Sequence, residues 1–357
     1  MEPFLLDVPA LDARLDLLSR CASSKKYCKQ KSSLQLQLSG FLASLPSPKT
    51  LHFASPRDVL RFLAWKDSSG RSQVHSRSCP FLGERKIQSC SCPVRLAAGT
   101  VDNLIGKLRA IFNEEGIVGD WNDALGFGNP ASHLSIRSYL KSVQAEQAEA
   151  RVFPKQAKPL FLEKLTALLK HLRDRLTLKD TPPLSLYIFA RDLAFFSVDF
   201  FSGDRASDLG LILTKDVLNT PDSKGYFFRQ AVGKSLGKGN RRYFAIRRCS
   251  IDAICPVVNL KLYIDVCRLL EIDLSHGYLF RAASRTGCVS ASPFIGSAVE
   301  SRLVFYLKEL SLYEGESTHS FRRGLSLSLA FLGASHSEVA SFVGVACVKL
   351  VDKHVQP

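Results

Sequence analysis

No tyrosine follows Tyr313 in this 357-residue chain, so its last stretch offers no phenol to any chemistry placed there. An uncharged apolar run of membrane-spanning length is missing, which argues against a bilayer-crossing helix. The N-terminus, Met1-Glu2-Pro3-Phe4, lacks the pattern of a secretory signal. There is no internal repeat and no low-complexity tract, which sets aside solenoids and disordered arrays. Disulfide density is also missing, because the ten cysteines are scattered apart from one cluster. An intracellular protein with reduced thiols is expected, and the cluster reads as metal-binding rather than cross-linked.

What the chain has is positive charge. Lys and Arg number 48 against 33 Asp and Glu, a formal net charge of +15. The excess is uneven. Residues 1–100 hold 15 basic against seven acidic side chains, and residues 151–250 hold 19 against nine. Residues 101–150 hold four against seven. Two separated basic blocks suggest two surfaces facing a polyanion, most simply nucleic acid. The remaining composition, 46% hydrophobic and 23% charged, is that of an ordinary globular protein long enough for two domains.

Hydrophobic spacing predicts a chain that is mainly α. Helical periodicity recurs over Leu11–Leu18 and Leu34–Leu45, and Ser55-Pro56-Arg57-Asp58 opens a helix running to about Trp65. Residues 67–95 are polar and read as a loop. A helix from Thr100 to Gly116 is expected to bury Leu104, Leu108, Ile111 and Phe112, and one from Ser135 to Ala150 to bury Ile136, Leu140, Val143 and Gln147. Residues 151–159 carry two prolines and read as a linker. The expected domains are 1–152, with the loop 67–95 inserted, and 153–357. Beyond the linker, helices are expected at 160–176, 184–201, 256–271, 294–312, 318–332, 336–343 and 347–353. A hairpin is expected from Tyr226–Val232 and Tyr243–Ile246 around a Gly/Lys turn.

His75, Cys79, Cys90 and Cys92 place one imidazole and three thiols within 18 residues. That is a closed ligand set for structural Zn2+. The Cys-x-Cys spacing is tighter than usual but feasible, since residues two apart on extended chain point to one side.

Three further signals converge on phosphate chemistry. His319-Ser320-Phe321-Arg322 opens an apolar helix, so His319 and Arg322 share a face at an anion-favouring helix start. Arg205 precedes Ala206-Ser207-Asp208, although Arg205-x-x-Asp208 is also the spacing of a helix salt bridge. Between them lies Gly233-Lys234-Ser235-Leu236-Gly237-Lys238-Gly239-Asn240. Cleaving a phosphodiester without a metal needs cations on the nonbridging oxygens, a nucleophile, and an acid for the leaving oxygen. Arginine forks meet the first need, and a lysine on the turn meets the last.

In that order, these residues resemble the catalytic domain of the tyrosine recombinases over 160–357, with Phe342-Val343-Gly344 opening the last motif. Residues 56–151 resemble the ALOG-type helical DNA-binding domain with its zinc-ribbon insert. That likeness is carried by His75…Cys79-Pro80-Phe81-Leu82-Gly83, by Cys90-Ser91-Cys92-Pro93, by the run Gly99 to Arg109, and by Tyr139-Leu140-Lys141-Ser142-Val143. The pairing is like that of recombinases from DIRS- or Crypton-type eukaryotic mobile elements. The resemblance implies a mostly helical catalytic domain with a small β-hairpin sheet. It also implies Arg205, His319 and Arg322 on the scissile phosphate and Lys234 or Lys238 as general acid. It departs at two places: Val345 stands where the family has His or Trp, and His354 where it has the nucleophilic tyrosine. A degenerate copy that binds DNA without joining it covalently is therefore expected; a non-enzymatic sequence-specific binder and a type IB topoisomerase-like relaxase are the rivals. Double-stranded DNA is the expected partner, with a homo-oligomer on DNA, a nuclear location and no catalytic cofactor. Lys107, Arg109, Arg137, Lys141, Arg241 and Arg242 are the candidate DNA contacts.

Overall fold

The computed structural model describes residues 7–21, 25–84, 87–153, 156–233, 236, 241–284 and 287–343. They gather into two compact units, Met1–Lys155 and Gln156–Pro357. The chain is mainly α, with twelve α-helices and only small antiparallel sheets among the described residues. No helix among them is long and apolar enough to cross a membrane.

The first unit holds α1 (Val8–Cys21), α2 (Lys25–Ala43), α3 (Pro56–Asp67), α4 (Ala98–Glu114) and α5 (Leu134–Glu149). The start of α3 is written in the sequence. Ser55 accepts from the Asp58 N–H, Asp58 returns the bond to the Ser55 N–H, and Pro56 fills a position that needs no donor. Losing such a cap costs about 1 kcal/mol. Leu34, Leu38 and Leu42 of α2 pack with Val59, Phe62 and Leu63 of α3, and with Ile136 and Val143 of α5. The contribution of α4 is Val101, Ile105, Leu108, Ile111 and Phe112. Leu104, expected in that core, is only half-buried, as is Leu140 of α5. The buried stripe of α4 is turned by about one residue, because Val101 and Ile105 offer the same period. Gln147 is buried as expected, and it caps α4 by accepting from the Ala98 N–H and donating to Leu96 O.

Residues 67–95, expected as a loop, carry a two-stranded ladder, β1 (Ser72–Gln73) with β2 (Val94–Arg95). Two-residue strands leave no alternation to read.

The second unit is built around α7 (Pro183–Ser202), buried from Ala190 to Phe200. An all-round apolar helix belongs in a core. It packs against α6 (Leu162–Leu176), α9 (Pro256–Leu269) and α11 (His319–Phe331). The expected hairpin is present as β4 (Gly225–Gln230) and β5 (Arg242–Arg247), with Gln230 opposite Arg242. It is widened by β3 (Val217–Asn219), which the sequence did not announce. Phe228 and Phe244 stack across the pair at 4.7 Å. A second ladder, β6 (Arg281–Ala283) with β7 (Val289–Pro293), occupies the stretch just before the helix expected at 294–312. That helix, α10 (Ser297–Glu309), therefore starts three residues late, after Gly296. The remaining helices are α8 (Ala206–Leu209) and α12 (His336–Phe342). The helix expected at 347–353 lies outside the described residues.

Two glycines set the joints of this unit. Gly203 ends α7 in the left-handed region at φ 58°, and a Cβ there would lie 2.9 Å from Leu325 Cδ2. Gly324 lets α11 meet the incoming chain, since its Cβ would fall 1.8 Å from Leu160 O. Leu160 N–H donates to Ser320 O at the same contact.

Candidate functional site

The strands β1 and β2 bring two turns together. One holds His75 and Cys79, with the Cys79 N–H donating to Ser76 O; the other holds Cys90 and Cys92, with the Cys90 N–H donating to Ile87 O. The ligand atoms of all four residues lie within 4.8 Å of one another. His75 Nδ1 is 3.4 Å from both Cys79 Sγ and Cys90 Sγ, and the two sulfurs are 3.6 Å apart. A tetrahedron with Zn–S near 2.3 Å and Zn–N near 2.0 Å has edges of about 3.5–3.8 Å. The four residues thus fit a zinc ion, and the sulfur separation is far beyond a disulfide bond. The Ser76 backbone and the His75 ring draw the Cys92 thiol down to about 7, toward the thiolate a metal takes. Gln73, which the sequence did not single out, supports the second turn. Its Nε2 donates to Cys90 O and Cys92 O, and its Oε1 accepts from the Ile87 N–H.

In the second unit, the turn after α7 presents Arg205 at the start of α8, paired with Asp208 at 3.6 Å. The helix-type salt bridge and the position before a helix both hold for this residue. Arg322 comes from the first turn of α11, and its Nη1 donates to Gly203 O at 3.1 Å. Its Nη2 is buried without a hydrogen-bond partner among the described residues. Burial, then the like charges of Arg205 and Arg242, push the Arg322 guanidinium down to about 10. Three arginines from α8, β5 and α11 therefore act on one another electrostatically. His319 is the first residue of α11, one turn ahead of Arg322, and is exposed. The arrangement is a cluster of cations with an unsatisfied buried donor, at a helix start that itself favours an anion.

Lys234, Lys238 and His354 lie outside the described residues, as does Val345. Gly233, immediately before Lys234, is described, and a Cβ on it would lie 3.1 Å from Asp208 Oδ2.

The candidate DNA contacts are dispersed. Arg137 and Lys141 are exposed on α5, and Arg241 is exposed ahead of β5. Arg109 is turned inward, its Nε donating to Ala131 O at 3.0 Å. Arg242 is mostly enclosed and bound to Asp204. Lys107 joins Lys26 and Lys29 of α2 and Lys66 of α3 around a concavity of about 500 Å³ with no carboxylate in its lining. Lys107 Nζ donates to Gln30 and Lys66 Nζ to Gln37, which holds both ammonium groups across helix boundaries. The signal for the α2 lysines was the spacing Lys26, Lys29 with Gln30, Ser33 and Gln37 on one helical face.

Two buried acids also escaped the sequence reading. Asp199 of α7 is fully enclosed, with neither carboxylate oxygen hydrogen-bonded among the described residues. Burial, then Asp204, push its pKa well above the carboxylate range, while Arg322 pulls the other way. Asp204 is raised by burial and held back by Arg242.

The ALOG domain model matches residues 18–145. LIGHT-DEPENDENT SHORT HYPOCOTYLS 5 of Arabidopsis thaliana is 36% identical over 137 residues, covering 38% of this chain and 72% of that protein. G1-like5 of Oryza sativa subsp. japonica is 34% identical over 131 residues, 36% of this chain and 61% of its own length. Among solved structures, the Tn1549 transposon integrase in complex with circular intermediate DNA aligns with a TM-score of 0.53 at 12% identity, over 96% of this chain and 94% of that one. A lambda integrase dimer bound to a COC' core site aligns with a TM-score of 0.50 at 13% identity, over 97% and 94%. At such identities the structural likeness speaks for the fold alone. The chain belongs to the ALOG domain family through its first unit, and it has the fold of the tyrosine recombinases.

Proposed function

We propose that this protein binds double-stranded DNA through a recombinase-type phosphate clamp, and that the chain as written does not join DNA covalently. The observation that carries the reading is the buried, unsatisfied Nη2 of Arg322 beside Arg205 and Arg242. A phosphate oxygen is what such a donor lacks. In this reading Arg205, Arg322 and His319 hold the nonbridging oxygens of one phosphodiester. With a nucleophile restored, a hairpin lysine would give its proton to the leaving 5′-oxygen. The approach of Gly233 to Asp208 supports Lys234, one peptide unit further on, over Lys238. The nucleophile position falls on His354, where a phenol would form the 3′-phosphotyrosine that conserves bond energy for rejoining. An imidazole phosphoramidate is labile, so His354 would leak to water rather than rejoin.

The lysine-lined concavity of α2, α3 and α4 is the second DNA surface in this reading, with Lys26, Lys29, Lys66 and Lys107 on backbone phosphates. His75, Cys79, Cys90 and Cys92 hold Zn2+, which folds a loop with little core of its own. The dimeric state of the lambda integrase on its core site supports a homo-oligomer on DNA. Double-stranded DNA as the proposed partner supports a nuclear location.

A cleavage assay on a suicide DNA substrate tests the reading with the wild-type chain and His354→Tyr. Wild type is expected to bind and form no adduct, and His354→Tyr to form some. An adduct from the wild type, lost in His354→Ala, would make His354 a working nucleophile. Binding without any adduct in His354→Tyr favours the second reading, a non-enzymatic binder derived from a recombinase. Absence of DNA binding overturns both.

A further inference from the structure

We propose that Asp204 and Arg242 form a clasp that positions the phosphate clamp, tying the hairpin, the Arg205 turn and the end of α12 into one block. It rests on the phosphate-clamp reading for its functional consequence, but its geometry stands on its own. Asp204 immediately precedes Arg205 and is 3% exposed. Its Oδ1 accepts from Arg242 Nη1 at 2.7 Å, and its Oδ2 from Gln230 Nε2 at 2.8 Å. Gln230 ends β4 and Arg242 begins β5, and the two are cross-strand partners. One buried carboxylate therefore grips both legs of the hairpin where they leave the sheet. The Arg205 backbone N–H also donates to it. Arg242 then reaches further: its Nη2 donates to Ser202 O at 3.2 Å and to Phe342 O at 2.8 Å. Phe342 is the last residue of α12, so its carbonyl has no N–H partner further along the helix. Gly203 follows Ser202, a Cβ on it would lie 3.0 Å from Val343 Cγ1, and its carbonyl receives Arg322.

The chemistry explains why the residue is arginine. Its fork meets a carboxylate and two carbonyls at once, which an ammonium on one axis does not. Fixing the hairpin base fixes Gln230 and Arg242, the strand ends that flank the Gly/Lys segment in the sequence. Fixing Phe342 fixes the end of α12, which precedes position 354 in the sequence. Asp204 and Arg242 touch no substrate in this scheme, so they are positioning residues. Arg242, which sequence alone marks as a DNA contact, has both terminal nitrogens donating to the protein.

Hydrogen exchange on the full chain, measured peptide by peptide, tests the clasp without DNA. Arg242→Ala is expected to speed exchange in both β5 and α12 by about tenfold or more, because it strands a buried carboxylate. Arg247→Ala, at the other end of β5 and bound to Asp222, is expected to leave α12 unchanged. Should Arg242→Ala fail to fold, Arg242→Lys decides: it keeps a cation on Asp204, so β5 stays protected while α12 loosens. Unchanged α12 exchange in both variants would overturn the proposal. A second arm measures DNA affinity against salt. Arg242→Ala is expected to weaken binding with the slope of log affinity against log salt preserved, while Arg322→Ala lowers that slope by about one. A slope lowered by about one in Arg242→Ala, with normal exchange, would make Arg242 a phosphate contact and sink the clasp. If wild type binds no DNA, the proposed function fails and the exchange arm still judges the clasp.

Discussion

Asp199 is the residue whose environment is least like water. Both oxygens are buried without hydrogen bonds among the described residues, so the fold favours the protonated acid. A carboxyl raised in the folded state adds stability that is fully present below the unfolded value of 3.8 and is lost as pH rises through the folded value. Asp199→Asn, the neutral isostere, is therefore expected to hold its stability as pH rises while wild type declines. Urea unfolding of both proteins from acidic to neutral pH checks this; parallel curves would show that Asp199 is not held protonated. Nothing in the local sequence marked this aspartate, because its neighbours Asp204, Asp208 and Arg322 come from the next turn, from α8 and from α11. Arg205, His319 and Arg322 stand out in the sequence for the opposite reason. The signal is residue type and order, and two of them share one helical turn.

At the scale of elements, the His/Cys loop and the two glycine joints make sharp expectations. Purified protein is expected to carry one zinc per chain by elemental analysis, and Cys92→Ser to lose it. Gln73→Ala keeps all four ligands but frees the turn that carries Cys90 and Cys92. A loss of zinc affinity of about 10–100-fold is expected, as for other residues that orient ligands. A zinc titration with a competing chelator measures it, and an unchanged affinity would show that Gln73 is incidental. Gly203→Ala forces an L residue into the left-handed region and a Cβ against Leu325. A destabilisation of about 1–3 kcal/mol is expected by thermal or urea unfolding. Gly324→Ala is expected to exceed it, because the obstacle is the Leu160 carbonyl and not a side chain that can swing away. The longer helices were legible from their period, and the α3 start from Ser55, Pro56 and Asp58. The short strands β1, β3, β6 and β7 were not. A ladder of two to five residues is specified by its partner, and Arg281-Ala282-Ala283 has no alternation of its own.

Across the whole molecule, the net charge of +15 is expected to appear as a steep salt dependence of DNA binding. Replacing Lys26, Lys29, Lys66 and Lys107 together by Ala is expected to reduce the slope of log affinity against log salt by about 3–4, near 0.9 per phosphate contact. Exchanging Arg137 and Lys141 of α5 in the same way compares the two faces. If the α5 pair moves the slope and the four lysines do not, the DNA surface of the first unit is the α5 face. Sequence alone determined the mainly α class, the ALOG likeness of the first unit, the His/Cys cluster His75, Cys79, Cys90 and Cys92, and the order Arg205, lysine turn, His319-x-x-Arg322. Each of these lives in residue type and in spacings of a few positions, which helical and extended geometry convert directly into a shared face. Tertiary structure alone decided which cations are held by partners far away in the chain. Arg109 and Arg242 look like surface arginines in the sequence, yet one is bound to Ala131 O and the other to Asp204, Ser202 O and Phe342 O. Those partners lie between 22 and 100 residues away. Burial and pairing at such separations are set by how α7, the hairpin and α12 pack, and a charge declares its role only when that packing fixes how much water and which opposite charge it meets.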